Sequence, residues 1–190
     1  NSFTHSLFIT FKNRRPCNMT EDRAQKILEI LQKKFIIPKW TASTRDPFKT
    51  LIATIISQNT ADRNTAKAFE NLSNKFEITP EALANAKRGA IEQCLNPAGL
   101  YRNKAKTIKL VSAIILEKFG GTLTSILSLP LEKARSTLLL LPGVGPKTAD
   151  VVLLFCSGRP TIPVDTHVNR VSKRLGLAPQ NGDYETVRTA

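Results

Sequence analysis

A run of four leucines, Leu138 to Leu141, breaks at Pro142-Gly143-Val144-Gly145-Pro146, and a second largely apolar run, Ala149 to Phe155, closes at Ser157-Gly158. Proline at a first helical position is pre-set for helix, and glycine supplies backbone shapes that other residues avoid. The stretch predicts helix, tight hairpin, helix, over about residues 136–157. Such a hairpin exposes backbone N–H groups at a helix start, where the dipole favours negative charge and glycines let another backbone approach. An anion, most simply a phosphate, belongs at Gly143 to Gly145. Lys147 falls in the first turn of the second helix, where a cation is disfavoured. That local conflict points to an amine kept for nucleophilic chemistry, although lysines near helix starts are commonly just solvated.

Thr161-Ile162-Pro163-Val164 reads as an extended entry, with Asp165-Thr166 capping a helix that runs to about Leu175. A carboxylate is favoured at that position and suits the stabilisation of a developing positive charge. Taken alone, Asp165 is a routine cap.

Taken together, LPGVGPKTAD and the VDTHVNRV segment resemble the helix-hairpin-helix DNA glycosylases of the endonuclease III type. The resemblance implies that Lys147 is the Schiff-base nucleophile and Asp165 the second catalytic residue. It also implies that Leu141, Gly143, Val144, Gly145 and His167 lie at the DNA, with a monovalent cation held at Leu141 to Gly145. DPFKTLIATIISQNTADRNTAKAFENL resembles a second family segment, in which an amide fills the gap left by an extruded base. Gln58 and Asn59 are the two candidates, since an amide both donates and accepts toward an orphaned base. GLYRNKA resembles a third, near the DNA backbone, which makes Arg102 and Lys104 candidate phosphate contacts.

The composition agrees with such a partner. Twenty-eight Lys and Arg against fifteen Asp and Glu give a net charge of +13, a strong bias toward a polyanion. No stretch is long and apolar enough to span a bilayer, and the first residues lack a secretory signal. Cys17, Cys94 and Cys156 are scattered, with neither disulfide nor metal-ligand spacing, so no metal site is expected and a cytoplasmic setting fits. Cys94 and Cys156 sit in apolar surroundings and read as buried thiols.

Residues 1–18 carry Lys12, Arg14 and Arg15 with no acid, and read as a flexible basic arm, a remnant of expression or a mis-called start. Met19 precedes Thr20-Glu21-Asp22, a helix opening, after which Ile27, Leu28, Leu31 and Phe35 recur at helical spacing. Ile36 to Trp40 is a linker with Pro38, and Trp40 a core anchor or a stacking residue. Asp46-Pro47 launches an apolar helix, Phe48 to Ile56, that should be buried on most sides. Further helices follow at Ala61 to Phe76, Thr79 to Ala86, Gly89 to Leu95, and from Gly99 to Phe119. On the last, Ala105, Ile108, Val111, Ile115 and Phe119 face inward, with Lys106 and Lys109 outside. Leu129-Pro130 starts the helix into the hairpin, and Asp183 begins one that the chain end cuts.

The expected fold is all-α, nine or ten short helices in two lobes. Residues 45–158 would form a central barrel; residues 19–44 and 159–190 would form a terminal lobe. Relatives often continue into four closely spaced cysteines that hold an iron–sulfur cluster, so a [4Fe-4S] cluster is expected only in a longer parent protein, and this chain reads as a fragment. The function implied is a bifunctional DNA glycosylase and abasic-site lyase in base-excision repair. It would act as a prokaryotic, cytoplasmic monomer on double-stranded DNA carrying an oxidised pyrimidine or an abasic site. Alternatives are an 8-oxoguanine glycosylase/lyase, a monofunctional mismatch or adenine glycosylase, and a non-catalytic helix-hairpin-helix binding module.

Overall fold

The computed structural model describes residues 21–35 and 46–190. The basic arm, the opening at Met19-Thr20, Cys17 and the linker with Pro38 and Trp40 lie outside the described residues. Those described form eleven α-helices and one 3-10 turn, with no strand among them.

The helix α1 (Glu21–Lys34) comes first, and α2 (Pro47–Ser57) follows the second described boundary. Asp46 caps α2 by accepting from the N–H groups of Phe48 and Lys49 at 2.9 and 3.0 Å. Phe48, Leu51, Ile52, Ile55 and Ile56 are all buried, as the apolar run demands. Each such side chain stabilises the fold by about 2 kcal/mol through removal from water. Around α2 pack α3 (Asp62–Lys75), α6 (Tyr101–Phe119) and α9 (Pro146–Ser157). The short helices α4 (Pro80–Asn85) and α5 (Arg88–Leu95) close over α6, with the 3-10 turn Asn96–Ala98 leading back to it. Then come α7 (Thr124–Leu127) and α8 (Leu131–Leu139), which packs on α9. The apolar core formed by these elements runs from Phe48 to Leu153. A second, small cluster of Val164, Ala178 and Val187 joins α10 (Thr166–Arg174) to α11 (Tyr184–Thr189).

Of the apolar residues at helical spacing, Leu28 and Leu31 of α1 and Phe35 just past it are exposed, and Ile27 is half-buried. One expectation needs correction. Lys109 does not point outward: its ammonium donates to the carbonyls of Ala84 and Ala86 at the end of α4. A lysine beside a helix end finds unpaired carbonyls there, and its alkyl stem covers the apolar surface on the way. The helix α7 escaped the sequence reading because one turn is too short to display a period.

Candidate active site and nucleic-acid interface

The hairpin tightens in stages. Leu140 and Leu141 donate their N–H groups three residues back, to Thr137 and Leu138, and Val144 donates to Leu141 at 3.1 Å. Leu141 and Val144 bury their side chains in the core, so what they present outward is main chain. Gly143 has φ +75, in the left-handed region, and a Cβ there would collide with the Thr107 methyl. This glycine is required by the fold. Gly145 differs: its φ is −90, and a Cβ there would meet nothing within 4 Å. No intramolecular constraint asks for glycine at 145, and its open side faces outward at the start of α9. The first intrahelical bond of α9 is Ala149 N–H to Gly145 C=O, so the N–H groups of Lys147 and Thr148 precede the helical ladder.

Gly158 ends α9 with φ +62; its N–H reaches Leu154 and the Arg159 N–H reaches Leu153 at 3.1 Å. That pairing caps the last carbonyls of α9 and turns the chain into the extended stretch toward Asp165. The Asp165 carboxylate then splits its duties. Oδ1 accepts from the Val168 N–H at 2.8 Å and caps α10, while Oδ2 lies 3.8 Å from Lys147 Nζ. Lys147 is 55% exposed and Asp165 35%, so the amine and the carboxylate meet where a ligand can enter. Two residues eighteen positions apart, on separate elements, are brought together.

The turn between α2 and α3 joins this site. Gln58 Nε2 donates to the Gly143 carbonyl at 2.9 Å and lies 3.4 Å from Thr148 Oγ1, which docks the turn on the hairpin. Asn59 is exposed, with φ +52. Asparagine tolerates that left-handed shape better than most residues. The two candidates thus part company: one amide is engaged with the hairpin and the other stands outward.

Lys104 is a correction. It is not a surface cation, being 5% exposed, and its ammonium donates to the Ile56 carbonyl at 2.7 Å, the Ala98 carbonyl at 2.9 Å and the Thr60 hydroxyl. Thr60 in turn donates to Ala98. Desolvation pushes the Lys104 pKa below its ordinary value. The residue fastens the α2–α3 turn to the turn before α6 and cannot reach a phosphate. Arg102 is exposed, its guanidinium 5.5 Å from the centre of the Tyr101 ring. His167 is exposed on α10, with Nδ1 3.2 Å from Arg170 Nη2.

One exposed residue beside these turns escaped the sequence reading. Leu100 is 61% exposed and has φ +46, the second positive-φ residue besides glycine among those described. A leucine held in the left-handed region costs about 1 kcal/mol or more. Its only sequence signal is an apolar residue between Gly99 and the polar start of α6. Through Lys104 and Thr60, the turns bearing Asn59 and Leu100 are locked side by side.

Among the described residues no group of three or more His, Cys, Asp or Glu could hold a metal ion. Burial pushes the thiols of Cys94 and Cys156 above their ordinary pKa, against the thiolate form a metal needs. These residues do not fit an iron–sulfur cluster. Also among the described residues, no helix is long and apolar enough to cross a membrane.

Two helices joined by a glycine hairpin, with an amine and a carboxylate meeting at its flank, define an all-α helix-hairpin-helix protein. The profile of the HhH-GPD superfamily of base excision DNA repair proteins matches residues 52–190, and the chain belongs to that family. It is similar to endonuclease III of Thermotoga maritima, 43% identical over 143 residues, an alignment covering 74% of this chain and 62% of that protein. It is also similar to endonuclease III of Sulfolobus acidocaldarius, 37% identical over 160 residues, covering 84% of this chain and 70% of the relative. A solved non-covalent endonuclease III–DNA complex aligns with a TM-score of 0.74 and 35% identity, over 90% of this chain and 75% of that one.

Proposed function

We propose that the chain carries the catalytic and DNA-binding parts of a bifunctional DNA glycosylase and abasic-site lyase acting on oxidised pyrimidines in duplex DNA. One observation carries the reading: Lys147 Nζ and Asp165 Oδ2 lie 3.8 Å apart beside the hairpin, both open to solvent. The kinship with two endonucleases III and with an endonuclease III–DNA complex supports it.

The chemistry follows from the geometry. The damaged nucleotide leaves the stack and its sugar enters between the two side chains. Asp165 Oδ2, the oxygen not used in capping, faces the positive charge that develops on the sugar as the base departs. The Lys147 amine forms a bond to C1′ as the bond from C1′ to the base breaks. Loss of a proton from the nitrogen and opening of the sugar ring give a Schiff base. That cation acts as an electron sink: a proton leaves C2′ and the 3′ phosphate departs by β-elimination.

The rest of the surface positions the duplex. The outward N–H groups at Gly145 and the start of α9 receive a backbone phosphate, and the open side of Gly145 lets it approach. A monovalent cation would be held there by hairpin carbonyls. Those of Leu141 and Gly143 each accept one hydrogen bond and keep a second lone pair, a hard-oxygen donor set that fits. Asn59 rather than Gln58 enters the gap left by the extruded base, because the Gln58 amide is engaged with Gly143 and Asn59 is not buried. Leu100 presses on the duplex beside it, while Arg102 and His167 face the backbone. The large apolar core and the small cluster around Val164 support separating a central barrel, 45–158, from a terminal lobe that includes 159–190, and the Arg23 guanidinium, donating to the Leu175 carbonyl at 3.1 Å, ties α1 to that lobe.

Asp165→Asn tests the assignment. Base release from a duplex with one oxidised pyrimidine should fall steeply while duplex affinity stays within about twofold. Unchanged release would remove Asp165 from the chemistry.

A further inference from the structure

Asp150 lies one turn beyond Lys147 on α9 and is completely buried. A buried carboxylate is stable only when its oxygens are satisfied, and here three polar groups do so in a fixed pattern. Arg135 Nε and Thr161 Oγ1 donate to Oδ1 at 3.0 and 2.8 Å, and the Tyr184 hydroxyl donates to Oδ2 at 2.8 Å. The same hydroxyl accepts the Val164 N–H at 3.2 Å. Thr161 and Val164 belong to the extended stretch that delivers Asp165. Helix α9 therefore grips that stretch twice, once directly through Thr161 and once through the Tyr184 ring from α11, one residue before the carboxylate.

We infer that Asp150 and Tyr184 are positioning residues for the reaction proposed above: they set the distance between Lys147 and Asp165. The lysine leaves α9 at its first turn and the aspartate ends the stretch clamped to the next turn. Their separation is then fixed by three hydrogen bonds, from Thr161 and Tyr184 to Asp150 and from Val164 to Tyr184, rather than by the 3.8 Å ion pair itself, which is half in water and weak. Arg135 stays with the buried carboxylate and bridges on to Glu185 at 2.6 Å, holding α11 and hence the Tyr184 ring in place. The network also burdens the phenol. Desolvation and the Asp150 acceptor push the Tyr184 pKa well above its ordinary value, so its proton stays available for donation.

Asp150→Asn would leave the Arg135 guanidinium buried beside a neutral group and is a poor probe, since it threatens folding. Tyr184→Phe keeps the ring and removes both bonds of the hydroxyl, and Thr161→Val keeps the shape and removes the other clamp. Single-turnover base release from a duplex with one oxidised pyrimidine is measured beside affinity for the same duplex. Each variant should release base about ten- to a hundredfold more slowly, as slight misplacement of reacting groups does, with affinity within about twofold of wild type. Thr161→Ser should keep the wild-type rate. In Tyr184→Phe, amide exchange at Val164 should quicken. Wild-type rates in both variants, or rate losses matched by losses of affinity, would overturn the positioning role. An inactive wild-type chain would instead strike at the proposed function, and this inference would fall with it.

Discussion

Two glycines of one hairpin are there for different reasons, and alanine separates them. At Gly143 the backbone is left-handed, φ +75, which costs an L-residue about 1–2 kcal/mol. The new methyl also meets the Thr107 methyl, and pushing that β-branched side chain off its rotamer costs about 0.5–1.5 kcal/mol more. Gly143→Ala should therefore lose about 2–3 kcal/mol of stability. At Gly145 φ is −90, ψ is 178 and the space is open, so alanine fits without strain. By restricting the unfolded chain, Gly145→Ala should be neutral or stabilising by up to about 1 kcal/mol. Its methyl nevertheless projects where a phosphate must approach, so duplex binding should weaken at every DNA sequence. The assay is denaturant unfolding of both variants, alone and in a Thr107→Ser background, beside duplex titrations at several salt concentrations. Thr107→Ser removes the methyl and should restore only the steric part of the Gly143→Ala loss. If Gly145→Ala unfolds as early as Gly143→Ala, or binds duplex as wild type does at every salt, the open side of Gly145 is not an approach path.

Lys104→Met should destabilise the fold by about 1–3 kcal/mol by orphaning the Ile56 carbonyl, with no change in the salt dependence of duplex binding. Arg102→Ala should do the reverse, leaving stability alone and lowering the salt slope by about one phosphate contact. Unfolding midpoints and salt titrations distinguish the two. Glu185 is partly desolvated, which works against its charge, yet hydrogen bonds from Arg135 and Arg188 hold its pKa below the ordinary carboxylate value. Its contribution is thus present above about pH 4.5 and lost as pH falls through the lower folded-state value. Glu185→Gln should lower stability near neutrality by at most about 1 kcal/mol, since the group is half exposed. That gap should close in acid; a gap that widened there would reverse the assignment.

Much of the site was legible because local rules wrote it. The caps at Asp46, Thr79 and Asp165, the proline start and glycine stop of α9, and the hairpin itself depend on neighbours within a few residues. Lys104 was misplaced although its position carried the signal: residues 104, 108, 111 and 115 form one buried stripe of α6. Its charge argued for the surface, while its place on the helix argued for the core, and nearby carbonyls let the second win. The engagement of Gln58 with a carbonyl 85 residues away, and the grip of Asp150 and Tyr184 on the Asp165 stretch, were out of reach. They arise from packing between distant segments, and no spacing within either segment encodes them. The left-handed shape of Leu100 was equally hidden, since leucine is among the residues least suited to it.

Lys147 and Asp165, as proposed above, form one reactive pair beside a phosphate-binding hairpin. Borohydride trapping on a duplex with a single abasic site, comparing wild type with Lys147→Ala, is the decisive measurement. A covalent protein–DNA adduct is expected with wild type and none with Lys147→Ala, which should still bind the duplex. An adduct that survives in Lys147→Ala, or its absence from wild type that binds the same duplex, would contradict it.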